Sequence, residues 1–127
     1  MPLSFRRHPG HYAVCRLQPQ LPLPAWATAS QSGILSLTRT PSELSIVCPA
    51  SIVPPDTQAQ PGWACLELIG PFPFSLTGIL ASFLQPLAQA AIPIFALSTF
   101  DTDWVLVPET HLANALQALH AAGHNEL

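Results

Sequence analysis

The sequence predicts an α+β fold made of two similar halves, and three observations lead to this prediction. The stretches Gly33–Pro49 and Ile92–Pro108 align without gaps, and each reads as an apolar strand, a polar turn and a second strand that ends at a proline. Upstream, His11–Leu17 aligns with Gly62–Leu68 as a further strand. Between the strands of the second half, Phe74–Ala91 has helical periodicity. A repeated strand and hairpin joined by helices is typical of an α+β fold.

The connection Phe74–Ala91 predicts an amphipathic helix that packs one face against a sheet. Pro86 lies inside it and removes one backbone hydrogen bond, so we expect a kink near Phe83. The matching connection of the first half, Gln18–Ser30, contains three prolines and predicts only a short helix after Pro24. The apolar face of the longer helix consists of Leu76, Ile79, Leu80, Phe83, Leu87 and Ala90.

A second helix is predicted after Pro108. Its acidic first residue, Glu109, suits the positive end of a helix, and Gly123 is a stop signal. The matching segment after Pro49 has only a proline pair and a polar tail, which reads as a linker. The apolar face of the second helix consists of Leu112, Ala115, Leu116 and Leu119.

Each half therefore follows the order of a split βαβ unit, the ferredoxin-like βαββαβ arrangement, which normally ends with a fourth strand. No segment after Gly123 reads as that strand. We expect the N-terminal strand, residues 3–7, to complete the antiparallel sheet of the second module, with the helices on one face. The predicted modules are residues 1–54 and 62–127, in tandem and interleaved. His8–His11 reads as a turn, because Pro-Gly is a strong turn signal.

The composition excludes several classes of partner. Charged residues make up only 9% of the chain, against about 25% in typical globular proteins, so we expect a homo-oligomer such as a dimer to cover part of the surface. A net charge of −3 with four basic residues argues against nucleic acid. No apolar run reaches the roughly 18 residues of a membrane span, and no signal peptide is evident, so we expect a cytoplasmic protein. Cys15, Cys48 and Cys65 read as reduced core residues.

Two stretches of the sequence resemble the tandem ACT domain family. The stretch "GPFPFSLTGILASFLQPLAQAAIPIFALSTFDTDWVLV" (Gly70–Val107) resembles the family's loop, helix and hairpin, and "LSIVCP" (Leu44–Pro49) resembles its shorter strand. ACT modules are small-molecule regulatory domains, found in aspartate kinases and, in similar tandem form, in cytosolic arginine sensors. The resemblance implies a stand-alone sensor of free amino acids that acts through an oligomer change or a regulated enzyme or signalling protein.

The resemblance also implies where a ligand would bind. In this family the loop between the first strand and helix, together with the neighbouring hairpin, binds amino acids. The first half lacks the glycine-bearing loop and has Pro41-Ser42-Glu43 where the second half has Phe100-Asp101-Thr102, so we expect it to keep no equivalent site. No cofactor is expected. On the second half, the candidate ligand-binding residues are Phe74, Ser75, Leu76, Thr77, Gly78, Ser98, Thr99, Phe100, Asp101 and Asp103.

Elementary physical chemistry supports a ligand site at the same place, and it also allows another role for the two acids. Unpaired N–H groups at a helix start favour an α-carboxylate, and Ser75 or Thr77 is expected to cap the helix or touch the ligand. Asp101 and Asp103 could hold an α-ammonium or a cationic side chain. Asp is also one of the commonest turn residues, so these two acids could instead only close a hairpin. The alternative function is a protein interaction module that binds no ligand.

Two other groups of residues have the types that chemical sites use. His120 and His124 are four residues apart on a predicted helix, a spacing that can hold a metal, but no third ligand is evident. A solvated or subunit-facing pair of histidines is the alternative. An enzyme would need a nucleophile within reach of a histidine base, and no serine or cysteine has that setting in the predicted elements. We therefore expect no catalysis.

Overall fold

A computed structural model describes residues 1–28 and 33–127 of the chain. It forms two compact units: unit 1 contains Met1–Pro9 and Ala64–Leu127, and unit 2 contains Gly10–Trp63. The two strands β1 (Ser4–Leu17) and β4 (Ala59–Leu68) each contribute to both units. The last residues of the predicted connection 18–30 lie outside the described part of the chain.

Unit 1 consists of one sheet and two helices. Besides β1 and β4, its elements are α1 (Ile79–Gln89), β5 (Phe95–Ser98), β6 (Asp103–Pro108), α2 (Leu112–Ala121) and β7 (Asn125–Glu126). The strand order in this unit is β7-β1-β4-β6-β5. β5 and β6 form an antiparallel hairpin, and β7 pairs parallel to the start of β1.

Both helices of unit 1 cover the same face of its sheet, because alternate residues of each strand enter one apolar core. Phe83 of α1 lies edge-on to Phe5 of β1, with ring centroids 5.4 Å apart. This mixed sheet with two packed helices is consistent with a ferredoxin-like fold. The fully buried members of this core include Leu66, Leu68, Phe83, Leu87, Val105, Val107, Ala115 and Leu119.

Unit 2 is built on the hairpin of β2 (Ser36–Arg39) and β3 (Leu44–Pro49), with β3 antiparallel to the second part of β1. The predicted short helix after Pro24 is a single 3₁₀ turn, Ala25–Ala27. The buried core of this unit consists of Ala13, Cys15, Ala27, Leu44, Ile46 and Cys48.

The two hairpins have the same register. In unit 2 Arg39 is paired with Leu44, and in unit 1 Ser98 is paired with Asp103, the residues that the gapless alignment matches. A 3₁₀ turn follows the closing proline of both hairpins, at Ala50–Ile52 and Glu109–His111. The repeat read from the sequence is therefore present in the pairing of the strands.

Three expectations about the chain termini and strand ends differ from the structure. A strand does follow Gly123, because Asn125 and Leu127 donate backbone N–H groups to the carbonyls of Leu3 and Phe5. The Pro-Gly pair at residues 9 and 10 is not a turn: β1 continues through it, with Gly10 at a φ of +80°. The interpretation of His120 and His124 as a solvated or subunit-facing pair is wrong for His124, since α2 ends at Ala121 and His124 is buried beyond it, whereas His120 is exposed.

Candidate functional site

A cavity of about 170 Å³ lies in unit 1, between the loop that follows β4 and the β5–β6 hairpin. The first residue of α1, Ile79, forms part of its wall. No lysine, arginine or histidine lines it, whereas two carboxylates do. The lining residues are Phe72, Pro73, Phe74, Leu76, Ile79, Ser98, Thr99, Phe100, Asp101, Thr102 and Asp103.

The loop after β4 is held tightly against the hairpin at Gly70. A Cβ atom at this position would lie 2.8 Å from the Asp101 carbonyl oxygen and 3.1 Å from the Phe72 nitrogen. That same carbonyl accepts a hydrogen bond of 2.9 Å from the Phe72 N–H. A glycine is therefore required for the loop to approach the hairpin closely enough to form this wall of the cavity.

Threonines, and not the acidic side chains, close the hairpin turn. The backbone N–H and the Oγ1 of Thr99 both donate to the Thr102 carbonyl, at 2.8 and 3.1 Å. The buried Thr102 hydroxyl in turn donates to the carbonyl of Leu68 at the end of β4, at 2.7 Å. Thr102 therefore anchors the turn to the strand next to it.

The two acids of the hairpin have different surroundings. Asp103 is partly buried and accepts a hydrogen bond from the Ser98 hydroxyl, its cross-strand partner. Asp101 is exposed at the turn, and within the described residues its carboxylate has no hydrogen-bond or ion-pair partner. Because the turn is already closed by Thr99, the Asp101 side chain is available to a molecule in the cavity.

Two exposed aromatic rings line the opening of the cavity. Phe74 from the loop and Phe100 from the hairpin are in edge-to-face contact, with centroids 5.1 Å apart and planes at 83°. They are 77% and 80% exposed. Large apolar side chains are usually buried, so this exposed pair, with Leu76 beside it, marks a surface that can contact another molecule.

The start of α1 lies next to the cavity without a side-chain cap. Gly78 occupies the N-cap position with a φ of +80°, and among the described residues this helix start has no side-chain cap hydrogen bond. The expected capping by Ser75 or Thr77 is therefore wrong. Both side chains are exposed, and neither lines the cavity.

Seven of the ten candidate residues line this single cavity. Ser75, Thr77 and Gly78 do not, whereas four residues outside the candidate set do: Phe72, Pro73, Ile79 and Thr102. All four lie within the quoted stretch Gly70–Val107, and Thr102 lies between the two candidate acids.

Three properties of the described residues bear on metal sites, on the cysteines and on membrane spans. No group of three or more His, Cys, Asp or Glu side chains among residues 1–28 and 33–127 is arranged to hold a metal ion. Cys15, Cys48 and Cys65 are free and buried. The Cys48 thiol donates a hydrogen bond that lowers the pKa of Cys15, and this bond and burial raise the pKa of Cys48. In the same part of the chain, every helix is too short or too polar to span a bilayer.

The fold and the cavity define unit 1 as a ferredoxin-like module with a candidate small-molecule site beside its hairpin. A family model described as the ACT domain matches residues 58–121, and a second model, for an N-terminal domain, matches residues 10–56. The chain belongs to the ACT domain family.

Several solved structures are similar to this chain. A protein of Agobacterium tumefaciens is 40% identical, with a TM-score of 0.92, and the match covers 100% of this chain and 93% of that one. A Vibrio cholerae protein described as a possible transport protein is 20% identical, with a TM-score of 0.76 and coverages of 95% and 90%. The regulatory subunit of aspartate kinase from Thermus thermophilus is 17% identical, with a TM-score of 0.61 and coverages of 89% and 93%. The last two similarities concern the fold alone.

Proposed function

We propose that the protein is a non-catalytic regulatory protein that binds a free amino acid in the cavity between the β4–α1 loop and the β5–β6 hairpin. The observation that carries this proposal is that seven candidate residues from two separate segments of the sequence line one small cavity. Its volume of about 170 Å³ is below the roughly 300–1,000 Å³ of pockets for drug-sized ligands, which suits a molecule as small as an amino acid.

The charges of the cavity match the two ends of an amino acid. The α-ammonium, or a cationic side chain, would pair with Asp101, whose carboxylate has no partner among the described residues, and with Asp103. The α-carboxylate would face the uncapped start of α1 at Ile79, where backbone N–H groups and the helix dipole favour an anion. Phe74 and Phe100 would cover the ligand from the solvent side.

Binding would act on a partner or on the assembly through a difference in affinity between two states. The ligand would bridge the loop and the hairpin, and so it would favour the arrangement in which Phe74 and Phe100 are in contact. A regulated enzyme, a signalling protein or a second copy of the chain that reads this surface would then respond to the ligand.

A thermal-shift screen of the full chain against the standard amino acids tests the proposal. At a ligand concentration of 100 times Kd, binding to the folded state adds about 2.7 kcal/mol of stability. We expect Asp101→Asn to abolish the shift for the selected amino acid, and Glu43→Gln, which removes the acid of the unit 2 hairpin, to leave it unchanged. A shift that survives Asp101→Asn would place the ligand elsewhere.

A second function is favoured by the exposed aromatic pair. If no amino acid shifts the melting temperature, the surface of Phe74, Leu76 and Phe100 would be a docking site for a protein, and the chain would be an interaction module. Sedimentation velocity of the wild type and of the Phe74→Ser/Phe100→Ser variant tests this for self-association. Assembly that is unchanged in the double variant would exclude this surface as a contact between copies.

A further inference from the structure

Unit 2 contains a second copy of the hairpin turn that borders the candidate site. Thr40 donates its backbone N–H to the Glu43 carbonyl at 2.9 Å, and the Glu43 N–H donates back to the Thr40 hydroxyl at 3.2 Å. The bonds between Thr99 and Thr102 in unit 1 follow the same pattern. The two turns are therefore equivalent residue by residue.

The residue that precedes the turn differs between the two units, and its side chain lies beside the hairpin. Ser98 lines the cavity of unit 1, and Arg39 is its equivalent in unit 2. The guanidinium of Arg39 extends to the loop that follows the first strand, where Nη1 donates to the Pro19 carbonyl and Nη2 donates to the Leu21 carbonyl at 2.9 Å.

The acceptors of Arg39 also correspond to the wall of the unit 1 cavity. Aligning the first strands matches Pro19 with Gly70 and Leu21 with Phe72, the two residues that hold the unit 1 loop against its hairpin. Within unit 2, Arg39 thus joins the loop and the hairpin that correspond to those enclosing the unit 1 cavity. A forked group with several donors is suited to bridging two carbonyls.

We infer that unit 2 contains a degenerate copy of the candidate site, and that the guanidinium of Arg39 is its built-in occupant. The side chain holds the loop of residues 18–24 on the hairpin, which is the role that a bound ligand would have in unit 1. Arg39 therefore makes the arrangement of unit 2 independent of ligand. This inference rests on the proposed function in one respect, namely that the unit 1 cavity is a ligand-binding site.

Chemical rescue of an arginine-deletion variant tests the inference without any amino-acid ligand. Arg39→Ala should lower Tm and speed amide exchange at Gln20 and Leu21, because their loop loses its anchor. Millimolar methylguanidinium should restore at least half of both losses in this variant and should leave the wild type unchanged. Arg39→Lys should lie between the two, since a single ammonium cannot form the fork.

Arg16→Ala is the matched control. Arg16 belongs to the same unit and also donates to a backbone carbonyl, that of Ser42 at 2.9 Å, but it does not bridge the loop and the hairpin. Rescue of Arg39→Ala alone would support the inference. Equal effects of methylguanidinium on both variants, or an Arg39→Ala variant with unchanged Tm and exchange, would overturn it. Neither result depends on whether an amino acid binds in unit 1.

Discussion

His124 donates a hydrogen bond to the Ser82 carbonyl, whose partner within the helix is missing because residue 86 is a proline. Within α1 the Ser82 carbonyl would accept from the N–H of residue 86, but Pro86 has none. The His124 Nε2 lies 3.1 Å from this carbonyl and donates to it. Its Nδ1 accepts from the backbone N–H of Leu3, also at 3.1 Å. The imidazole is thus fixed as the Nε2–H tautomer and joins the N-terminal strand, α1 and the C-terminal strand.

Removing this side chain should strongly destabilise unit 1. His124 is 4% exposed, so His124→Ala leaves the Leu3 N–H and the Ser82 carbonyl without partners in a buried region. We expect a loss of about 2–3 kcal/mol in the free energy of unfolding, because each unpaired buried group costs about 1–3 kcal/mol. Urea denaturation measures it. His120→Ala, on the exposed side of α2, is the control and should change stability little.

The link to Pro86 can be separated by a double-mutant cycle. Pro86→Ala restores a backbone N–H that can bond the Ser82 carbonyl within the helix. His124→Ala should therefore cost less in the Pro86→Ala background than in the wild type, with a coupling energy of at least about 0.5 kcal/mol. Additive effects would show that the histidine does not compensate for the proline.

Replacing Ala91 with glycine should stabilise the protein. Ala91 follows α1 with a φ of +57°, and Ile92 donates to the Leu87 carbonyl, the bond of a Schellman motif. A left-handed conformation costs a residue with a Cβ about 1–2 kcal/mol, so Ala91→Gly should raise the free energy of unfolding by about 1 kcal/mol. Differential scanning calorimetry would detect the rise in Tm.

The end of α2 provides the reciprocal control for this change. Gly123 occupies the same place in the motif with a φ of +94°, and His124 donates to the Leu119 carbonyl as Ile92 donates to Leu87. Gly123→Ala should lower stability by about the amount that Ala91→Gly gains. If both substitutions shift Tm in the same direction, helix propensity and not the left-handed conformation decides their effect.

Gly70→Ala should disrupt the candidate site from the loop side. Its Cβ would meet backbone atoms on both sides, at 2.8 Å from the Asp101 oxygen and 3.1 Å from the Phe72 nitrogen, so the loop must move away from the hairpin. We expect a loss of about 1–3 kcal/mol, together with loss of any amino-acid-dependent thermal shift. Ala81→Gly, on the exposed side of α1, is a control for stability loss alone.

Cys65 should make the protein less stable at high pH. Burial, with a smaller contribution from the negative charge of Glu67, raises the pKa of its thiol to about 12, from an ordinary value of 9.0. The unfolded chain therefore releases this proton first, and stability falls as pH rises from 9.0 towards 12, by up to about 1.4 kcal/mol per pH unit. Urea unfolding at pH 8, 9 and 10 measures the slope.

The matched variant for the alkaline test is Cys65→Ala. It should flatten the decline above pH 9, even if it lowers stability at neutral pH. The chain has no lysine, so lysine titration does not contribute to this range. An unchanged slope in Cys65→Ala would mean that other groups, such as Cys48, cause the decline.

Elements with a local pattern could be predicted from the sequence. The spacing of apolar residues around Phe83 and Leu119 indicated both helices, and the repeated strand pattern indicated the hairpin in which Ser98 pairs with Asp103. The helices and the hairpin share the property that residues close together in the chain determine them. The place of the candidate site came instead from the resemblance to the ACT domain family, because the two segments that form the cavity are distant in the chain.

Features that depend on distant contacts could not be predicted. The strand β7 has two residues, too few for an alternating pattern, and it forms because Leu3 and Phe5 offer backbone carbonyls. The role of His124 depends on a proline 38 positions earlier and on the N-terminal strand. A Pro-Gly pair usually indicates a turn, but at Gly10 the pairing of β1 with its neighbours overrides this preference.

Unit 1 is formed by two separate segments of the chain, and this affects how the unit can be expressed. The segment Met1–Pro9 supplies Leu3 and Phe5 to the core that surrounds Phe83, while the rest of that core begins only at Ala64. In a fragment of residues 64–127 alone, the apolar core residues that contact Leu3 and Phe5 would be exposed to solvent. We expect such a fragment to aggregate. A soluble fragment requires residues 1–9 to be fused back to it, for example by a flexible linker after Leu127 in a circularly permuted gene.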